Sequence, residues 1–484
     1  MVEREREVRA DRRMSDLEAL MWNIEKDPHL SSTIANVTLL DRPADLERFR
    51  ARMADAVRRI PRLRQRVVPG LGRLAPPTWQ DDPSFDIDFH VRRDGLPKGA
   101  TDRDLLNFAT RYWQAPFDRT RPLWAFTLVD GLPDGRGAIV QKMHHTITDG
   151  VGAMRMSEQF IDLERDPPDV EGRRGPARKG RRTGDEHPDH ELDPPTDPGP
   201  TNFFATMVDT AAHVARRSAG AAQRGVSETA HVLSHPGDWG SVGSAGVETA
   251  RSVVRQGLIS DRAHSPLWTE RTLWRRMEVL SVPMDDARRM AKAHDGSIND
   301  FFVTGAARGA GAYHRAKGAP VEELRMAMPV STRADSSAAG NSFAPSRVLV
   351  PVDIDDPIEQ FEAVKERLAR TRTERAFSVL EGLAGLMNVL PTSVLVRMAR
   401  QQTETIDFTT SNVRGGPLPL YIAGALIEAN YPLGPLAGTA FNLTLLSYDG
   451  ALNMGLAIDT GAVDDTELLR TCIEQAFAEL LAAG

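Results

Sequence analysis

The sequence predicts an α/β protein built from two domains. In the first half of the chain, stretches with the apolar pattern of strands alternate with stretches that have helical periodicity, an order typical of α/β layers. The length of 484 residues exceeds what one core usually organises, so we expect two domains of about 200 residues each. The hydrophobic content of 41% and the charged content of 26% are those of a globular protein that folds in water.

The composition also excludes several classes of protein. A net charge of −7 without a basic stripe argues against a nucleic-acid partner. Cys472 is the single cysteine, so an internal disulfide and a thiolate metal cluster are excluded, and its amphipathic surroundings predict a buried structural thiol. The charged N-terminus is not a signal peptide, and no run of about 18 apolar residues is present. We therefore expect a cytoplasmic protein, for which peripheral attachment to the inner membrane or to lipid inclusions remains open.

The elements of the first half follow in order from their patterns. Residues 1–13 are highly charged and predict a flexible tail. Ser15 and Glu18 fit a capping box that begins a helix. The helix that follows the first strand is expected to stop near Pro61. Periodicity then predicts strands at 33–40, 123–132 and 137–145 and helices at 44–60, 105–118 and 151–163.

The middle of the chain changes in composition. Residues 164–200 are rich in proline and charge and contain almost no large apolar groups, so we predict a disordered linker. Residues 201–270 carry only modest apolar faces and predict a helical crossover between the domains. The predicted domains are therefore 14–163 and 271–484.

The second half again mixes strands and helices. Ser297 is a plausible N-cap of a long helix that ends at Gly318. Asp449-Gly450 predicts a turn between two strands within 440–460. The remaining elements are predicted strands at 272–283, 324–332 and 346–354, and helices at 284–294, 356–374 and from Asp465 onwards.

The stretch QKMHHTITDGVG at 141–152 combines a strand end, a short loop and a helix start. Ligand-binding and catalytic groups gather at such places in α/β folds. Neighbouring side chains of a strand point to opposite faces. If the strand persists, His144 and His145 cannot both face one cleft, and one of them should be structural.

The chemistry available to this stretch is proton transfer. A neutral histidine accepts a proton near pH 7, and a positioned histidine base contributes roughly 10²–10⁴-fold to a rate. Asp149 either fixes the tautomer of that base or pairs with a buried arginine and holds the loop, and Gly150 permits a tight turn. The alternative is a loop pinned by two hydrogen-bonded histidines. A metal or an acyl-serine is not indicated, because neither HExxH nor GxSxG occurs.

Several stretches together identify a resemblance to a known family. HHTITDG at 144–150 matches the HHxxxDG motif of coenzyme-A-dependent acyltransferases and peptide-synthetase condensation domains. More specifically, the chain resembles the bacterial wax ester synthase/acyl-CoA:diacylglycerol acyltransferase family from about residue 14 to its end. The supporting stretches are SDLEALMWNIE at 15–25, RPLW at 121–124, the Asn299-Asp300 pair, PVSTR at 329–333 and SNVRGGPLPLYIAGA at 411–425.

The resemblance implies two chloramphenicol-acetyltransferase-like lobes, with mixed sheets flanked by helices and a substrate tunnel at their interface. It implies that His145 is the general base, that Asp149 is a structural anchor, and that His144 and Gly150 shape the loop. It further implies that Asn299 polarises the thioester carbonyl. Four other residues are implied near the substrates, namely Asp300, Ser411, Asn412 and Trp124, although strand packing is the preferred interpretation of Trp124.

The activity implied by the resemblance is O-acyl transfer from acyl-CoA to diacylglycerol or a long-chain alcohol. Acyl-CoA is then a substrate and no metal or prosthetic group is required. Two alternatives remain open. One is a condensation-type enzyme that uses carrier-bound acyl thioesters, and the other is a lipid-binding relative without catalytic activity.

Overall fold

The computed structural model describes residues 12–70, 75–148, 150–167, 263–331, 343–373 and 391–484. The predicted tail up to residue 11, the predicted linker from residue 168, the predicted crossover up to residue 262 and Asp149 lie outside the described residues. Within the described part of the chain, no helix is both long and apolar enough to cross a membrane.

Strands and helices alternate in the first half. Its strands are Thr33–Leu40 (β1), Gln65–Val68 (β2), Thr78–Asp81 (β3), Val91–Gly95 (β4), Trp124–Asp130 (β5) and Gly137–His144 (β6). Its helices are Asp16–Ile24 (α1), Leu46–Arg59 (α2), Ile87–His90 (α3), Asp102–Gln114 (α4) and Gly150–Ser157 (α5).

The second half contains longer strands. They are Arg275–Pro283 (β7), Glu323–Ser331 (β8), Phe343–Pro351 (β9), Phe408–Arg414 (β10), Tyr421–Ile422 (β11), Ala425–Leu433 (β12), Phe441–Tyr448 (β13) and Ala451–Asp459 (β14). The helices are Met284–Ala293 (α6), Ile298–Ala316 (α7), Pro357–Thr373 (α8), Thr392–Thr403 (α9) and Thr466–Ala483 (α10).

Two six-stranded mixed sheets organise these elements. The first has the order β11-β12-β1-β6-β5-β4, and the second has the order β7-β14-β13-β10-β8-β9. The first sheet is antiparallel except for the β4–β5 pair, and β10 runs parallel to both its neighbours in the second. The predicted fold of two lobes with mixed sheets is confirmed.

The sheets do not follow the predicted division at 14–163 and 271–484. Strand β12 belongs to the second half of the chain but pairs with β1 from Ala35↔Leu433 to Leu40↔Ile427. The first sheet therefore contains β11 and β12, although these two strands belong to the second half of the chain. Strand periodicity reports which face of a strand is buried but not which strand lies beside it, so this exchange is invisible to pattern analysis.

Local capping chemistry places the two helices that matter for the site. The predicted box at α1 is present, since Ser15 Oγ accepts from the Glu18 backbone N–H and the Glu18 carboxylate accepts from Ser15 N at 2.8 Å. A second box begins α7, where Ser297 caps the backbone of Asp300. Both helices thus begin where the sequence predicts.

Buried apolar side chains fill both faces of the first sheet and the interior of the second lobe. One cluster packs α2 and β5 side chains, including Phe49 and Phe126, and another packs α4 against Val37 and Val140. The latter cluster also contains Met277 of β7, so the core continues between the lobes. An ion pair reinforces that junction, because Arg103 Nη1 donates to Glu278 Oε1 at 2.6 Å.

Candidate active site

The two histidines lie where β6 ends. Its last residue, His144, pairs with Thr33 of β1, so the two side chains share a face of the sheet. The ladder continues for one further bond, in which the His145 backbone N–H donates to Ser32 O at 3.0 Å. The chain then turns, closed by the Ile147 N–H donating to His144 O at 2.9 Å. The loop is therefore held by backbone bonds on both sides of the histidine pair.

His144 is a buried, fully engaged side chain. It is 1% exposed, and its Nε2 contacts Glu25 Oε2. Its Nδ1 accepts the Thr146 backbone N–H at 3.1 Å and lies 2.7 Å from the Thr146 hydroxyl. Because Nδ1 accepts a backbone N–H, the proton of the neutral ring lies on Nε2 and is donated to Glu25. Edge contacts to Trp22 and Phe117 enclose the ring.

The Glu25 carboxylate is ionised in this setting. Burial raises the pKa of this carboxyl, but the hydrogen bond that His144 donates to it opposes that effect. The Ser32 N–H and the Ser31 hydroxyl lower the pKa further, and the net result lies below the ordinary value for glutamate.

His145 differs from His144 in its exposure. Its side chain is partly exposed, while its Nδ1 atom is buried. The two histidines thus differ in their exposure, and the role of His145 as the base stays a prediction. The role of Asp149 as anchor stays a prediction, and Gly150 is the first residue of α5.

The second lobe brings Asn299 and Asn412 together. Asn299 lies in the first turn of α7, and Asn412 Nδ2 donates to Asn299 Oδ1 at 3.3 Å. Among the described residues, no acceptor lies within hydrogen-bond distance of the buried Asn299 Nδ2. A buried amide N–H without an acceptor is costly in the absence of a ligand. Asn299 thus carries a side-chain donor without a partner among the described residues.

Strand β10 links these groups to the histidine loop. It contacts both α7 and α5, the helix that follows the HHxxxDG loop. Ser411 is partly buried and lies opposite Thr444 of β13, whereas Asn412 is exposed. Ser411 and Asn412 therefore lie on the strand that contacts both α7, which carries Asn299, and α5, which follows the histidine loop.

Asp300 and Trp124, which were predicted near the substrates, both have partners within the protein. The Asp300 Oδ2 atom accepts from Ser297 N at 2.9 Å and from Ser297 Oγ at 2.7 Å, so this carboxylate caps α7. Trp124 is 1% exposed, and its Nε1 donates to Leu63 O at 2.6 Å. Its ring also stacks on His90 with centroids 4.5 Å apart. These contacts are those of a packed strand residue, and a role for Trp124 near the substrate stays a prediction.

A cavity of about 340 Å³ lies between the lobes near this loop. The first lobe contributes Thr33 and Trp113, and the second contributes Leu273, Trp274 and Leu436. The Trp113 Nε1 atom donates to Thr33 O at 2.9 Å, so its ring presents only an apolar face to the cavity. Polar side chains, among them His29, Gln114 and Arg275, also line this cavity.

Among the described residues, no group of three histidine, cysteine or acidic side chains could hold a metal ion. Cys472 is buried as predicted, and burial raises the pKa of its thiol.

Sequence patterns missed Glu25 as a site residue. It lies at the C-cap of α1, where a carboxylate opposes the negative end of the helix dipole. An unfavourable local placement of this kind indicates a non-local partner. That signal was present in the sequence, although the identity of the partner was not.

Comparison with known proteins assigns both halves of the chain. Residues 14–302 match the wax ester synthase/diacylglycerol acyltransferase catalytic domain, and residues 339–481 match the C-terminal domain of the same family. A Mycobacterium tuberculosis H37Rv protein named as a diacylglycerol O-acyltransferase is 34% identical over 477 residues, covering 97% of this chain and 92% of that protein. A second one from that strain, tgs1, is 27% identical over 482 residues, covering 94% of this chain and 92% of its own.

Solved structures show the same fold. The wax ester synthase/diacylglycerol acyltransferase from Marinobacter aquaeolei VT8 superimposes with a TM-score of 0.63 at 21% identity, covering 98% of this chain and 100% of that one. The first condensation domain of the calcium-dependent antibiotic synthetase gives a TM-score of 0.59 at 15% identity, with 98% and 97% covered.

Proposed function

The chain belongs to the wax ester synthase/diacylglycerol acyltransferase family, and from that premise we propose that it is an acyl-CoA-dependent O-acyltransferase. It transfers a long-chain acyl group to the hydroxyl of diacylglycerol or of a long-chain alcohol, and the product is triacylglycerol or a wax ester. The observation that supports the site is the asymmetry of the histidine pair: His144 is buried against Glu25, while His145 remains partly exposed.

In the proposed mechanism, His145 accepts the proton of the acceptor hydroxyl as its oxygen attacks the thioester carbonyl carbon. The carbonyl oxygen becomes an oxyanion, and Asn299 Nδ2 donates a hydrogen bond to it. The tetrahedral intermediate collapses, the carbon–sulfur bond breaks, and the coenzyme A thiolate takes the proton back from His145. Every proton is carried by His145 and the substrates, so the proposal needs no metal or prosthetic group.

The apolar side chains that line the interlobe cavity support the choice of apolar substrates. Leu273 and Trp274 form its rim and are 46% and 75% exposed. Trp is favoured where an apolar surface meets water or lipid headgroups. We therefore propose that one hydrocarbon chain occupies this cavity and that the enzyme meets its acceptor at a lipid surface, either the cytoplasmic face of the membrane or a lipid inclusion.

An acceptor panel tests the proposed reaction. The purified protein is given radiolabelled palmitoyl-CoA with diolein, hexadecanol, or no acceptor, and in parallel an acyl-phosphopantetheine carrier protein with the same acceptors. We expect labelled triacylglycerol or wax ester from free palmitoyl-CoA. Product formed from the carrier-bound acyl group but not from free palmitoyl-CoA would instead identify a condensation-type enzyme. Bound lipid without any product would identify a non-catalytic relative.

A further inference from the structure

We propose that Glu25 is the positioning residue for the His145 base, a role that rests on the proposed function of His145. Glu25 lies far from the HHxxxDG motif in sequence, at the end of α1, yet its carboxylate contacts that loop directly. The side chains of Glu25 and His144 are 14% and 2% exposed, so the contact is shielded from bulk water. Through this contact, Glu25 holds His144, the residue that immediately precedes His145.

Both carboxylate oxygens of Glu25 accept hydrogen bonds. Oε2 accepts the Nε2–H of His144, and Oε1 accepts the Ser31 hydroxyl at 2.9 Å and the Ser32 backbone N–H at 3.0 Å. Ser32 in turn offers its carbonyl oxygen to the His145 backbone N–H at 3.0 Å. One carboxylate therefore holds His145 from two directions, through the ring of His144 and through the backbone of Ser32.

This arrangement requires a carboxylate in particular. All three hydrogen-bonding partners at Glu25 are donors, and a carboxylate offers acceptors on both oxygens. A glutamine has one acceptor oxygen, and its NH₂ group would face either the His144 Nε2–H or the Ser32 N–H. The Arg119 guanidinium, whose Nη2 lies 3.6 Å from Oε2, also faces this carboxylate. The guanidinium carbon of Arg119 lies over the Trp22 ring, 3.5 Å from its centroid.

The consequence for catalysis is geometric. Displacement of a catalytic group by about 1 Å can cost on the order of 10²-fold in rate. Loss of the Glu25 carboxylate frees the His144 ring and the Ser32 backbone together, and the His145 ring then samples positions from which it cannot reach the acceptor hydroxyl. We expect the loss in kcat rather than in KM, because Glu25 contacts neither substrate.

The test compares Glu25→Gln and Glu25→Ala with Glu18→Gln, which removes the other buried carboxylate of the same helix. We expect the Glu25 variants to lose about 10²-fold in kcat with KM nearly unchanged. The acid limb of the kcat/KM profile should move to lower pH, because a protonated His145 loses a nearby negative charge. Glu18→Gln should lower the unfolding temperature without moving that limb.

Two results would overturn the proposal. The first is a Glu25→Gln variant that keeps the wild-type kcat and the wild-type acid limb while His145→Ala is inactive. Activity in His145→Ala would instead refute the assignment of His145 as the base. The second comes from the wild-type protein and does not depend on how the variants fold. Nitrogen-15 NMR of labelled histidines, with the His144 signal identified by its absence in His144→Ala, should show the Nε2–H tautomer, and the Nδ1–H tautomer would refute the assigned contact.

Discussion

Asn412 Nδ2 donates a hydrogen bond of 3.3 Å to Asn299 Oδ1 and so orients the amide at the start of α7. This bond occupies the side-chain oxygen of Asn299, and the side-chain NH₂ group takes no part in it. An amide held in this way can donate to a developing oxyanion without reorganising. In the proposed mechanism, Asn299 is the donor and Asn412 is the group that orients it.

Asn299→Ala should lower kcat by roughly 10²-fold, since one oxyanion donor is removed. Asn412→Ala should give a smaller loss, because Asn299 keeps its N–H but loses its orientation. Steady-state kinetics with palmitoyl-CoA and hexadecanol measures both. Equal losses in the two variants would show that Asn299 acts only as part of a structural pair.

His145→Ala and His145→Gln should lose at least about 10²-fold in kcat, because the proton of the acceptor hydroxyl has no base to receive it. Their folding should be preserved, since the side chain is partly exposed. Transfer of labelled palmitate to diolein and to hexadecanol gives the measurement, and circular dichroism checks the fold. Turnover close to wild type would eliminate His145 as the base.

Trp274→Ala should raise KM for long-chain substrates and leave short-chain substrates unaffected, because it removes a wall of the interlobe cavity. Leu418→Ala is the matched control, as Leu418 is also an exposed apolar side chain, at 58%, but does not line this cavity. The acyl-CoA chain is varied at constant acceptor, and the alcohol chain is then varied at constant palmitoyl-CoA. The series in which KM changes identifies whether the acyl chain or the alcohol chain occupies the cavity. An unchanged KM in both series would exclude the cavity as a substrate site.

His90 should make stability depend on pH. Burial lowers the pKa of His90 to about 4, even though its Nδ1–H donates to Trp124 O at 2.8 Å. Between pH 6.5 and 4 the unfolded chain therefore binds a proton that the folded protein does not. The stabilisation is complete above pH 6.5 and is lost as pH falls towards 4. At pH 5 the unfolding free energy is lower by about 2 kcal/mol than at high pH.

Urea unfolding at pH 7.5 and pH 5 measures this dependence. His90→Phe keeps an aromatic ring between Phe85 and Trp124 but cannot take up a proton. The wild-type protein should lose more unfolding free energy between the two pH values than this variant does. Identical losses would show that His90 does not contribute to the pH dependence.

Patterns in the sequence determined the local parts of the site. Strand alternation distinguished His144 from His145, and the Ser297 capping signal placed the start of α7, which carries Asn299. Both depend on chemistry within a few residues, where backbone geometry allows few arrangements. The fold class followed in the same way from the order of predicted elements.

Only the tertiary structure decided which distant groups meet. Glu25 reaches His144 across 119 positions, Asn412 reaches Asn299 across 113, and β12 joins the first sheet instead of the second. Periodicity specifies a buried face but not its neighbour, because sheet order and register are set by packing over the whole core. The histidine motif therefore came from the sequence, whereas the carboxylate that holds it required the fold.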